Sequence, residues 1–151
     1  MKIAEQYFKT ADDPDQMPVN MESHHKLVAL SPDCMVIGYD EHDAVVGWVV
    51  TVPTTSALMT DFLEKNITEK QLLELTTPQE EYEALYISAV FVLPQYRGKG
   101  CGSELVLEVI KKFTNHGKLP KLFAWIYSKE GGELVKSVSK KLGVEILTRT
   151  D

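Results

Sequence analysis

Residues 90–113 read VFVLPQYRGKGCGSELVLEVIKKF. A β-branched run stops at Pro94, glycines fall at 98, 100 and 102, and an amphipathic run follows. Leu105, Val106, Val109, Ile110 and Phe113 recur at helical spacing, which predicts a helix over about 100–116 closed by Gly117. Upstream, ALYISAVFVL (84–93) predicts a largely buried central strand. A strand entering a glycine-rich turn and then a helix is a recurrent anion site. The first helical N–H groups have no helical partner and carry partial positive charge, and glycine lets a phosphate approach the backbone. Arg97 and Lys99 add charge beside it. The stretch predicts a phosphate-bearing ligand.

Working outward, CMVIGYD (34–40) and AVVGWVVTVP (44–53) predict a hairpin, with Pro53 closing its second strand. Asn20 is a fair N-cap for a helix through MESHHKLVAL, which Pro32 ends. Residues 54–80 predict helix. Leu58, Met59, Phe62 and Leu63 share a face, and Thr68 with Gln71 spells a capping box, flanked by a staple pair, Ile67 and Leu72. KLFAWIY (121–127) predicts a buried strand, GGELVKSVSKKLG (131–143) a helix ending at Gly143, and VEILTR (144–149) a last strand. The start of the chain is harder to read: MKIAEQYFKT suits a short helix or a strand, and ADDPDQMP is turn chemistry. The order β-β, helical stretch, β-α-β-α-β predicts an α/β (α+β) fold, a mixed central sheet flanked by helices.

At 151 residues the chain predicts one domain, 1–151, with a core large enough to fold alone. A net charge of −6 disfavours nonspecific nucleic-acid binding and mildly favours cationic partners. The two cysteines, Cys34 and Cys101, have no zinc-type spacing. Adjacent His24 and His25 diverge on a helix, so no metal site is expected. With no apolar leader or membrane-length run, the expectation is a reduced cytoplasmic protein with no membrane and no nucleic-acid partner.

The Walker pattern is absent, and the dinucleotide pattern fails because Gly98 and Gly100 are followed by Ser103. What fits is R-x-x-G-x-G at Arg97, Gly100 and Gly102, after Val92-x-Pro94. A second register, Gln95-x-x-Gly98-x-Gly100, also fits. The Arg97 register is preferred, because the V-x-P and the start of the helical period then fall in place. With these residues the chain resembles the GNAT (Gcn5-related) N-acetyltransferases, specifically over 84–113 and by element order over 34–53 and 121–149.

The resemblance implies acetyl-CoA as co-substrate and no metal. The main chain of Gly98, Lys99, Gly100, Cys101, Gly102 and Ser103 is expected to hold the pyrophosphate beside Arg97. The main chain of Val90, Phe91 and Val92 is expected to meet the pantetheine arm in a gap where this strand splays from 121–127. A backbone N–H near Val92 is expected to polarise the thioester carbonyl. The implied activity is acetyl transfer to a primary amine, of a small molecule or a peptide, by direct attack. An alternative is a CoA-binding module without turnover, acting as a sensor or partner subunit. A protein for a different phosphate ligand is a third reading.

Direct attack needs the amine to lose a proton and the departing sulfur to gain one. The family's usual groups are missing. The base glutamate position holds Tyr86, the tyrosine position near the end of the last helix holds Ser139, and the asparagine position falls near Gly132. The remaining candidates are Tyr127, to protonate the leaving sulfur, and Tyr86 with Ser88, expected on one strand face, to order a relaying water. Ser139 is a weak stand-in and reads better as a surface residue, and Cys101 reads as packing rather than a nucleophile. Glu81 and Glu83 read as solvated. Where the family has a tight connection, residues 54–83 form a helical insertion bearing Asp61, Glu64, Glu69 and Glu74. The insertion is expected to wall an amine substrate site or to pair in a homodimer.

Overall fold

The computed structural model describes residues 21–126 and 128–150. The readings made for residues 1–19, the Asn20 cap and Tyr127 lie outside the described residues.

Helix α1 spans Met21–Leu30, and a 3-10 turn at Pro32–Cys34 leads into the hairpin of β1 (Met35–Tyr39) and β2 (Val45–Thr54). Two short helices follow, α2 (Ser56–Leu63) and α3 (Glu69–Leu75). Then come β3 (Ala84–Val92), a 3-10 turn at Pro94–Tyr96, α4 (Cys101–Lys112), β4 (Lys121–Ile126), α5 (Lys129–Leu142) and β5 (Ile146–Thr150). The strands form one sheet in the order β1-β2-β3-β4-β5. The first two pairings are antiparallel and the last two parallel. This is the expected mixed sheet with helices on its faces. Both parallel crossovers step across the sheet in the same direction, and the fixed hand of such connections puts α4 and α5 on one face.

Each sheet face carries its own apolar cluster. On one, Leu105, Val106, Val109 and Ile110 of α4 meet Val49, Leu85, Ile87 and Leu122. On the other, α1, α2 and α3 bring Leu27, Leu30, Met59, Phe62 and Leu72 onto Val50, Val52, Tyr86 and Phe123. Burial on both faces is why β3 reads as a continuous apolar run rather than an alternating one. Arg149 of β5 lies between the rings of Phe62 and Trp125, 4.7 and 4.8 Å from their centroids. Its Nη1 donates to the Ile67 carbonyl at 2.9 Å, tying β5 to the connection between α2 and α3.

The capping box at Thr68 and Gln71 is present with both of its hydrogen bonds. Three expectations need correction. Pro53 does not close β2: it pairs with Leu85, and the strand runs on to Thr54. Because β1 pairs no further along β2 than Val50, Pro53 sits on an unpaired edge, where its missing N–H costs no ladder bond. Gly117 does not cap α4, which ends at Lys112. His116 and Gly117, at φ 51° and 76°, instead form a two-residue turn between Asn115 and Lys118, whose main chains bond each other. His116 is therefore in that turn and not at the helix end. Finally, α5 begins at Lys129, because Ser128 caps it by accepting from the Gly131 N–H at 3.0 Å.

Two irregularities shape the middle of the sheet. Gly47 lies so near β3 that a Cβ there would stand 2.2 Å from the Phe91 carbonyl oxygen. Between β2 and β3, Val50 pairs with Ala89 and Thr51 with Ile87, so Ser88 of β3 is an extra residue, a bulge.

Candidate active site

The pairing of β3 with β4 begins at Ala84–Lys121 and ends at Ile87–Ala124. Beyond that point β3 continues to Val92 and β4 to Ile126, so the two strands run on without a ladder between them. The Ser88 bulge falls at the same level. A bulge bends its strand and raises the local twist, which turns the end of β3 away from β4. The result is a groove of about 760 Å³. Its walls are Ser88–Val92 on one side, Ala124, Trp125 and Ile126 on the other, and Gly131, Leu134 and Val135 of α5. Tyr96, Arg97, Gly98, Gly100, Cys101 and Gly102 close one end.

The β3 edge of the groove is polar along its main chain. The Leu93 N–H donates to the Val46 carbonyl at 2.9 Å. Main-chain groups alternate sides along an antiparallel strand, so Phe91 also faces β2 while Val90 and Val92 point theirs into the gap. The Arg97 Nε–H takes the Val92 carbonyl at 2.9 Å, and its guanidinium lies 5.5 Å from the centre of the Phe91 ring. That ring stacks on Trp48 of β2 at 4.6 Å.

At the closed end the backbone is shaped by glycine. Gly98 and Gly100 take φ 80° and 79°, and open space lies where a Cβ would stand on either. Gly100 is the N-cap of α4 and supplies no side-chain hydrogen bond, and the first helical bond is Glu104 N–H to the Gly100 carbonyl. The leading N–H groups of a twelve-residue helix thus meet the groove without a side-chain cap. Gly102 lies inside the helix, where a Cβ would reach Val90, Val92 and Leu134 at 3.5–3.6 Å.

Most of the expected cofactor residues meet at the groove. Val90, Phe91, Val92, Arg97, Gly98, Gly100, Cys101 and Gly102 line the groove together. The Ser103 side chain is buried, and its hydroxyl donates to Ser137 at 3.0 Å, fastening α4 to α5; this leaves the expected role of its main chain untouched. Lys99 is exposed and is not among the lining residues.

Among the acid–base candidates, Ser88 lines the groove and Tyr86 does not. The bulge interrupts the strict alternation that was expected to put both on one strand face. Tyr86 is fully buried, and its hydroxyl donates to Glu69 at 2.5 Å. Glu69 is therefore turned inward: it is 4 % exposed at the first turn of α3. Glu64 and Glu74 are exposed, and Glu74 lies 4.0 Å from Lys70. Glu83 is exposed, and it accepts the Ser56 N–H at the start of α2. The Ser139 hydroxyl donates to the Val144 carbonyl past the end of α5, away from the groove.

Sequence reasoning missed Tyr96 and its partner. The Tyr96 hydroxyl donates to Asp40 Oδ2 at 2.7 Å, while Asp40 Oδ1 accepts the N–H groups of His42 and Ala44 at 2.8 and 3.0 Å. Tyr96 stands beside the Arg97 motif, but Asp40 is 56 residues earlier in a hairpin turn that looks like any other. The wall of α5 was also missed: the gap between β3 and β4 was expected, but Gly131, Leu134 and Val135 beside it were not.

A search of curated proteins gives no match to this chain. A family model does match: that of the acetyltransferase (GNAT) family, over residues 2–130. With most of its length covered by that match and a sheet of the expected form, the chain belongs to the GNAT acetyltransferase family.

Proposed function

We propose that the chain is a single GNAT domain that transfers an acetyl group from acetyl-CoA to a primary amine. The observation that carries this reading is the end of the β3–β4 ladder at Ile87 and Ala124, with the glycine loop and the uncapped start of α4 at one end of the groove so formed. The residues fit such a co-substrate. Open space over Gly98 and Gly100 gives a phosphate access to N–H groups, and the helix start favours its charge. The outward main chain of Val90 and Val92 offers a strand edge to an amide-bearing arm.

In this reading an incoming arm competes with Arg97 for the Val92 carbonyl. Release of that contact frees the guanidinium for a phosphate oxygen. Transfer then forms a bond from the amine nitrogen to the acyl carbon and breaks the carbon–sulfur bond. A proton leaves the nitrogen and another reaches the sulfur. In this reading the Val92 N–H polarises the acyl oxygen. Ser88, at the bulge, is the groove residue suited to order a water for the nitrogen's proton. Tyr127, next in sequence to the groove residue Ile126, is the candidate donor to the sulfur. Residues 54–83, acting as an insertion, cover the sheet face opposite α4.

Release of free CoA thiol from acetyl-CoA, measured over a panel of primary amines, tests the reading. Amine-dependent release at any member of the panel is expected. Tight acetyl-CoA binding without release across a broad panel would refute the enzymatic reading, and full turnover by Tyr127→Phe would remove that residue from the mechanism.

A further inference from the structure

We propose that Asp40 is a positioning residue for the loop 97–102, acting through Tyr96. The inference rests on the acyl-CoA reading above and adds a residue from a distant turn to it. Three donors converge on the Asp40 carboxylate: Tyr96 Oη on Oδ2, and the N–H groups of His42 and Ala44 on Oδ1. The two backbone donors fold the β1–β2 turn around the carboxylate. The third donor comes from the last residue of the 3-10 turn that leads into the loop, and the Tyr96 ring itself lines the groove.

Such a tether matters because of what surrounds it. Gly98 and Gly100 both take positive φ, with no atom near where a Cβ would be, so packing does not hold the loop from that side. Arg97, the next residue, is fastened to the Val92 carbonyl on the groove edge of β3, a contact that an incoming arm disturbs. With Arg97 released, the Tyr96–Asp40 bond is, among the described residues, the side-chain hydrogen bond left to hold the entry of the loop. A loop held in its binding form before the ligand arrives binds more tightly, since less order is lost on binding.

The test is calorimetric titration with free CoA. Removing the tie in Tyr96→Phe should weaken CoA about three- to tenfold, less than a full hydrogen bond to a charged group contributes, because only the part that orders the loop reaches the ligand. Asp40→Ala should lose at least as much, and the double variant should lose no more than Asp40→Ala alone. Asp40→Asn should bind within about twofold of wild type, because its side-chain carbonyl still accepts from the turn and its Nδ2 can donate to the Tyr96 oxygen. That rescue separates positioning from a general weakening of the turn. Wild-type affinity in Tyr96→Phe, which leaves the turn intact, would overturn the inference. A loss in Asp40→Asn as large as that in Asp40→Ala, or losses that multiply in the double variant, would overturn it too. Failure of the wild-type chain to bind CoA would instead overturn the acyl-CoA reading on which it rests.

Discussion

The Tyr86 hydroxyl donates to the Glu69 carboxylate at 2.5 Å, and both side chains are buried. The bond joins the central strand to the first turn of α3, beneath the rings of Phe62 and Phe123, whose centroids lie 4.9 and 5.1 Å from that of Tyr86. Tyr86→Phe keeps the ring and removes one donor from a buried carboxylate. Denaturant unfolding should show a loss of about 1–3 kcal/mol. CoA affinity should not move, because Tyr86 is not a groove residue. An unchanged unfolding midpoint would show that the bond contributes nothing net. A fall in CoA affinity would show that the two sheet faces are coupled.

Gly47 is required by a close approach rather than by its φ. A methyl there would stand 2.2 Å from the Phe91 carbonyl oxygen and 3.0 Å from the Val92 Cα. Both are backbone atoms, so no side-chain rotation can relieve the clash. Gly47→Ala should cost at least the 1–3 kcal/mol typical of overpacking and should also weaken CoA, because the strand it displaces is the groove's edge. Equal stability of the two proteins in urea would contradict this geometry.

The parts of this molecule written in local pattern could be read in advance. The capping box at Thr68, the β-branched run 84–92 and the helical period from Leu105 all declare themselves within a few residues. Pro53 and Gly117 misled because a local signal was overruled by its setting: a free strand edge in one case, a separate two-residue turn in the other. The bulge at Ser88 left no trace in composition, because it depends on how β2 is paired, yet it decides which residues of β3 face which side. Tyr86 became a candidate through the position it fills and the face it was expected to share with Ser88, and the bulge undoes that sharing. The glycine loop was legible because backbone conformation constrains residue type strongly. Side-chain partners brought together across 56 residues leave no such mark.

The Asp40–Tyr96 contact has a defined pH window. The Tyr96 hydroxyl first, then the Ala44 and His42 N–H groups, hold the Asp40 carboxyl below its ordinary range. A depressed carboxyl contributes stability that is complete above its unfolded value and is lost as pH falls through its folded value. The Tyr96 phenol is pushed up, chiefly because it donates to Asp40. A raised phenol contributes below its ordinary value and loses that contribution as pH rises through its folded value. The contact is therefore whole from about pH 4 to about pH 10. The stability difference between wild type and Tyr96→Phe should be flat across that window and shrink on both sides of it. A difference that persists unchanged at pH 2 would show that the carboxylate's charge is irrelevant.

The two thiols should differ sharply in reactivity. Burial pushes the Cys34 thiol up to about 12, so almost no thiolate exists at neutral pH. Cys101 is half-buried and lines the groove at the first position of α4. Iodoacetamide at pH 8 should label Cys101 and spare Cys34 in the folded protein, as read by peptide mass spectrometry. CoA should slow the labelling of Cys101. Equal labelling of both cysteines would contradict the burial of Cys34, and an unprotected Cys101 under saturating CoA would place the ligand elsewhere.

Gly100→Asp separates the loop's binding role from its structural one. Gly100 takes φ 79°, a conformation in which side chains are strained, but no atom lies within 4 Å of where a Cβ would be. Aspartate is among the residues that best tolerate the left-handed region, so the backbone cost should stay near 1–2 kcal/mol. The electrostatic effect is far larger. A carboxylate at the N-cap of α4 occupies the region a phosphate would enter and repels its charge. CoA affinity should fall by about a hundredfold or more, as expected when charge repulsion adds to steric exclusion, while the unfolding midpoint moves only slightly. Gly98→Asp should do less, because Gly98 precedes the helix and is not its cap. Retained CoA affinity in folded Gly100→Asp would mean that the pyrophosphate does not bind at the start of α4. The groove would then have to take its ligand in another orientation.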